Sequence, residues 1–260
     1  MKLRKASADS ADTQFVPDDF SSIIAHLPEG CALAGGQAVA WWAKVYGIKI
    51  QQRGKSIEVT SQDIDFWGSR DDLIHVAKSL HRKAVFPNQH EMTVWSGAIP
   101  IVIKDQESLA EFLHTIPGLD TADPESASVP QTYDANGVRK TILVLTPISM
   151  VLAKVHCLRH FNQEHRNDEQ HLRVCITTSQ YFIRQLLRQG AVRHVLWNCE
   201  RLILLHQLKP IAKFEAKHGF NLLDAIPIAD FEAWTLDPAI DENERAKISN
   251  FVSKRWSRLR

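Results

Sequence analysis

Apolar residues recur along this chain with two periods, near 3.6 and near 2, and the changes between them mark its elements. Residues 1–16 are polar and small and predict a loose arm. Pro17-Asp18-Asp19 then opens a helix with Phe20, Ile23, Ile24 and Leu27 on one face, which Pro28-Glu29-Gly30 ends. A short strand over 31–34 runs into Gly35-Gly36 and a helix over 37–46. Of its adjacent Trp41 and Trp42, one is expected in the core and the other partly exposed. Ile64 and Phe66 form an extended segment, and Ser69 caps a helix carrying Leu73, Val76, Ala77 and Leu80. Strands are expected over 84–95 and 98–103, joined at Ser96-Gly97, then a helix over 108–115 and a Pro-, Asp- and Ser-rich loop to Ser128. A hairpin over 129–145 turns at Asn136-Gly137, a pair that readily takes the positive φ values of a tight turn. Thr146-Pro147 starts a helix with the stripe Val151, Leu152, Val155, Leu158 and Phe161, and from Asp168 onward the pattern is helical.

The pattern therefore gives an α+β chain: a small mixed sheet flanked by helices, followed by an all-helical C-terminal domain. The expected boundaries are an arm at 1–16, an α/β domain at 17–147 and a helical domain at 148–260.

The chemistry concentrates between Leu33 and Gly68. Two glycines let the backbone approach a ligand closely, and the first amides of the following helix are unpaired donors, an arrangement suited to phosphate. With twenty-six residues between, Gly36 is followed by Asp63 and Asp65, which alternation in a strand places on one face, opposite Ile64 and Phe66. Two neighbouring carboxylates repel unless a cation lies between them, and hard oxygen ligands suit Mg²⁺ carrying nucleotide phosphates.

This order of Gly-Gly turn, helix with Ala38, Trp42 and Tyr46, and Asp63-Ile64-Asp65-Phe66 strand resembles the polymerase-beta-like nucleotidyltransferase superfamily, and within it the AbiEii-type branch. The resemblance covers about residues 30–180. It implies a nucleotidyltransferase-type sheet and transfer of a nucleoside monophosphate from a nucleoside triphosphate to an acceptor hydroxyl of RNA (tRNA) or protein. Gly35 and Gly36 would meet the phosphates, and Asp63 and Asp65 would hold Mg²⁺ or Mn²⁺. It also implies a toxin or phage-defence setting with a cognate antitoxin as partner. A lysine on the proline-led helix and an aspartate opening the next one match Lys154 and Asp168; the first would ground the triphosphate, and the second would hold that lysine or take the acceptor's proton. A solvated lysine and a helix-capping aspartate are the plainer readings of the same two residues.

The superfamily carries a third carboxylate on the strand beside the Asp-x-Asp strand. The expected neighbour, residues 98–103, has no acid near Val102; Asp105 at its end and Glu91 on the strand before are the available substitutes. The alternative to an enzyme is thus a catalytically degenerate nucleotide- or RNA-binding module. A third reading is a helical interaction module whose acidic pair meets a basic partner.

Composition narrows the class. Of 260 residues, 44% are hydrophobic and 23% charged, which excludes a disordered chain, and the net charge of +1 leaves nucleic-acid binding to local clusters. One such cluster is Lys49, Arg53 and Lys55, suited to a triphosphate, an RNA backbone or plain solvent; another is Lys254, Arg255, Arg258 and Arg260 around Trp256, suited to phosphate or to a helix C-terminus. His156 and His160 share a helical face but lack the glutamate of an H-E-x-x-H metal motif. Cys31, Cys157, Cys175 and Cys199 follow no metal or disulfide spacing and read as buried thiols. With no secretory signal and no run of about 18 apolar residues, a cytoplasmic protein without a membrane partner is expected.

Overall fold

The computed structural model describes residues 14–52, 55–88, 90, 93–119, 124–164 and 166–259. Its contacts divide the chain into two units, Met1–Phe161 and Asn162–Arg260. The first is α+β and the second helical.

In the first unit a 3₁₀ turn (Pro17–Phe20) and helix α1 (Ser21–Ile24) precede strand β1 (Ala32–Ala34) and helix α2 (Gly35–Val45). A small hairpin, β2 (Ile50–Gln52) and β3 (Lys55–Ile57), leads to β4 (Ile64–Trp67) and α3 (Arg70–Ser79). Next come β5 (Trp95–Ile103), β6 (Gln106–Leu113), the single turn α4 (Pro124–Ala127), β7 (Ser128–Ala135), β8 (Val138–Leu145) and α5 (Pro147–His160). Six strands form one sheet in the order β5-β6-β4-β1-β8-β7. The β6–β4 and β1–β8 pairs are parallel and the remaining three antiparallel.

One sheet face is apolar. Leu33, Phe66 and Phe112 stand in register across β1, β4 and β6 and are fully buried, with the two phenylalanine rings 5.3 Å apart. Local signals hold the ends of elements as the sequence predicts. Ser69 Oγ accepts from the Asp72 amide at 3.2 Å while Asp72 Oδ2 accepts from the Ser69 amide at 2.7 Å, a reciprocal cap. Thr146 Oγ1 accepts from the Ser149 amide at 3.1 Å. Asn136 and Gly137 have φ of +52° and +77° in the β7–β8 turn.

Four expectations change. Residues 106–113 are strand β6, where a helix over 108–115 is expected: Ser108, Ala110 and Phe112 are buried on one face, a period of two. The strand begins because Lys104 and Asp105, with φ of +49° and +63°, make the two-residue turn of a β5–β6 hairpin. In place of two strands meeting at Ser96-Gly97, β5 runs continuously through an irregularity at that point, and of residues 84–88 Val85 alone bridges to Ala98. Trp41 and Trp42 are both buried: the Trp42 indole donates to the Leu145 carbonyl at 2.7 Å, and Trp41 stacks on Tyr133. Phe161 is 43% exposed because it lies past the end of α5 in extended backbone.

The second unit contains α6 (Asp168–Arg188), α7 (Val192–His206), α8 (Lys209–His218), a 3₁₀ turn (Leu222–Ala225), α9 (Ile228–Leu236), α10 (Glu242–Asn250), a π turn (Phe251–Arg255) and a last 3₁₀ turn (Trp256–Leu259). Polar pairs tie it together: Arg184 to Asp230 at 2.8 Å, Arg255 to Glu200 at 2.9 Å, and Glu215, which bonds His206 at 2.8 Å and the Leu222 amide at 2.7 Å. All four cysteines are free thiols; three are buried and Cys157 is half-buried. Among the described residues no helix is long and apolar enough to cross a membrane.

Candidate functional site

The polar face of the sheet carries the acidic residues. In register across β5, β6, β4 and β1 run Ala98, Glu111, Asp65 and Ala34, two half-buried carboxylates between two buried alanines. Neighbouring strands lie about 4.8 Å apart, and in-register residues point to the same face, so Asp65 and Glu111 are immediate neighbours. Glu111 is the acid that the sequence reading missed. The strand beside β4 is β6, and β5, where an acid was sought near Val102, lies one strand further out. The available signal was the alternation of Ser108, Ala110 and Phe112, which turns Glu111 to the other face. Of the substitutes, Asp105 is exposed in the hairpin turn, about 20 Å along the strand from Glu111 at about 3.3 Å per residue. Glu91 lies outside the described residues.

Asp65 is seated by Gly35. That glycine begins α2 at a φ of +59°, and a Cβ there would fall 1.6 Å from Asp65 Oδ2. The carboxylate thus occupies the space of the missing side chain, at the positive end of a helix, where a negative charge is favoured. Gly36 is buried in the next position. Asp63 lies just before β4, and its Oδ1 accepts from the Leu109 amide at 2.9 Å and more weakly from Ser108 Oγ at 3.4 Å. Burial raises its pKa above the ordinary carboxylate value, and these two hydrogen bonds oppose the shift. Upstream, the fully buried Gln37 of α2 donates to the carbonyls of Phe15 and Ser61, holding the chain that leads into Asp63.

Lys154, on α5, is buried, not extended into solvent. Asp168 lies in the second unit, in the first turn of α6; it is 2% exposed, and its Oδ2 accepts from Arg166 Nε at 2.6 Å. Asn167 holds the N-cap position of that helix, without a side-chain capping bond, and Asp168 is its first residue. The rings of His156 and His160 lie 4.5 Å apart, and burial, with His160 and Arg159 beside it, lowers the His156 pKa. In the basic clusters, the side chains of Arg53, Lys55 and Arg260 lie outside the described residues.

Among the described residues, no group of three or more His, Cys, Asp and Glu side chains gathers closely enough to hold a metal ion unaided. The donor set still fits Mg²⁺, which is commonly held by one or two carboxylates and completes its shell with water and substrate phosphates.

No protein-family model and no curated protein matches the chain. Two solved structures are similar to it. One is an antigenic nucleotidyltransferase-like protein from Paracoccidioides brasiliensis, with 12% identity over 72% of this chain and 95% of that one and a TM-score of 0.39. The other is JHP933 from Helicobacter pylori, with 15% identity over 93% of this chain and 91% of that one and a TM-score of 0.37. At such scores neither likeness bears on substrate or reaction.

Proposed function

We propose that the chain is a metal-dependent nucleotidyltransferase, and the observation that carries this reading is the in-register pair Asp65 and Glu111, with Asp65 seated against Gly35 at the start of α2. In the reaction the acceptor hydroxyl oxygen bonds to the α-phosphorus of a nucleoside triphosphate, the bond to pyrophosphate breaks, and the hydroxyl proton passes to a base. Asp65 and Glu111 would hold Mg²⁺, with Asp63 next in line before β4. When bound, Mg²⁺ would supply charge neutralisation at the phosphates. The amides of Gly36 and Gln37 face the triphosphate, and Lys154 grounds its charge. On the AbiEii-type resemblance the acceptor is a tRNA end or a protein hydroxyl, in a toxin or phage-defence setting with an antitoxin partner.

The second reading, a nucleotide-binding module without catalysis, is favoured by Asp63, whose Oδ1 is committed to Leu109 and Ser108. One experiment separates the two. The full chain is incubated with Mg²⁺, each α-labelled triphosphate, and total RNA or total protein, beside Asp65→Asn and Glu111→Gln. Metal-assisted charge stabilisation is worth several kcal/mol, so each variant should lose about 10²- to 10³-fold of transfer. Mg²⁺ at tenfold its Kd should also stabilise the wild type by about 1.4 kcal/mol, and neither variant by as much. Triphosphate binding without transfer supports the module; transfer that survives both substitutions sinks the proposal.

A further inference from the structure

Helix α7 presents an apolar seam that lies outside the candidate site. Its inner stripe, Val195, Cys199, Leu202 and Ile203, is fully buried. On the opposite side Trp197 and Leu204 are 50% and 58% exposed, and Leu208, 52% exposed, lies just past the end of the helix. Within the helix His194, Trp197, Arg201 and Leu204 recur at spacings of three, four and three residues, the a and d repeat of a helix that packs against another helix. The inner stripe already anchors α7, so the outer one serves no packing role within the unit. The Arg201 guanidinium lies 4.6 Å from the Trp197 ring centroid and the His194 ring 5.9 Å from it, giving a preformed surface. At its N-terminal end a cleft of about 460 Å³ opens between Arg193, His194, Trp197 and Glu244, with room for a large partner side chain.

Charge selects the occupant. Arg193 flanks the seam, Arg201 lies at its centre and Lys209 follows Leu208, whereas Glu200 on the flank is held by Arg255. A two-fold pairing of the seam with a second copy would set Arg201 against Arg201 and bring basic flanks together, a like-charge arrangement that disfavours self-association. The chain's own residues 1–13 carry Lys2, Arg4 and Lys5 against Asp9 and Asp12, and two large apolar residues, Met1 and Leu3, so they are net basic with too little apolar surface. We propose that this face of α7 docks an acidic amphipathic helix of another protein, with Leu or Ile along its seam and Asp or Glu on its flanks.

The test titrates the full chain into a fluorescein-labelled three-heptad peptide with Leu at a and d and Glu on both flanks, followed by anisotropy. A matched peptide with Lys in place of Glu and a labelled oligo(U) serve as competing probes. Saturable binding of the acidic peptide, weakened about tenfold or more by Leu204→Ser with Leu208→Ser, and again by Arg193→Glu with Arg201→Glu, supports the proposal. Circular dichroism of each variant checks that the fold is kept, and two variants of unlike chemistry guard against the failure of one. Equal or tighter binding of the Lys peptide or of oligo(U), absence of acidic-peptide binding, or binding indifferent to both variants overturns it. So does a dimer in sedimentation that Leu204→Ser dissolves, which would assign the face to a second copy.

Discussion

Replacing Gly35 by alanine tests how the candidate site is built, independently of any reaction. Two effects add. At a φ of +59° an alanine is in the left-handed region, which costs about 1–2 kcal/mol. Its Cβ would also lie 1.6, 2.5 and 2.8 Å from Oδ2, Cγ and Cβ of Asp65, where ordinary contact begins at 3.4 Å. The carboxylate must therefore move by about 2 Å, and overpacking of this kind costs about 1–3 kcal/mol more. Gly35→Ala should thus destabilise the wild type by about 2–5 kcal/mol in all. In an Asp65→Gly background no carboxylate or Cβ is there to be displaced, and only the backbone penalty of about 1–2 kcal/mol remains. Urea unfolding of the four proteins, followed by tryptophan fluorescence, closes the cycle, with an expected coupling of about 1–3 kcal/mol. If Gly35→Ala costs the same in both backgrounds, Gly35 does not seat Asp65, and the explanation of this glycine is wrong.

Two further substitutions separate the site from its surroundings. Asp63 has a raised pKa in the fold, so the stability linked to its protonation is present below the unfolded value of 3.8 and is lost as pH rises through the higher folded value. Asp63→Asn keeps an acceptor for the Leu109 amide and removes that loss, so its stability relative to wild type should rise with pH above 4 and then level off; a variant-minus-wild-type difference that falls or stays flat as pH rises would contradict this. Asp105→Gly relieves a positive φ in the β5–β6 turn and should stabilise by about 0.5–1 kcal/mol. Label transfer should be unchanged by it, since Asp105 is remote from Glu111, and a loss of transfer would return Asp105 to the site.

The sequence made the first half of the site legible because each signal there is local. Gly35 is required by a φ value, Asp65 by its place in β4 between Ile64 and Phe66, and Ser69, Thr146 and Asn136-Gly137 by caps and a turn that act within four positions. Glu111 was hidden because residues 108–113, Ser-Leu-Ala-Glu-Phe-Leu, contain good helix formers, and the turn before them is Lys-Asp, not Asn-Gly. Pairing along β4 overrode that local preference. Phe161 was misplaced for a related reason: periodicity gives the face of a helix but not where the helix stops, and α5 ends at His160.

The two faces of the sheet are not independent designs. Side chains alternate strictly, so a one-residue slip between β4 and β6 would expose Phe66 or Phe112 and turn a carboxylate into the core. Fully burying a phenylalanine is worth about 1.5–3 kcal/mol, and an unpaired buried carboxylate is more costly still. The Leu33, Phe66 and Phe112 row therefore fixes the register in which Asp65 meets Glu111 and Ala34 leads into Gly35. The small residues Ala98 and Ala34 at either end of the acidic row leave the carboxylates uncovered by neighbouring bulk. An apolar face that tolerates no slip thereby positions a polar face whose repelling charges could not position themselves.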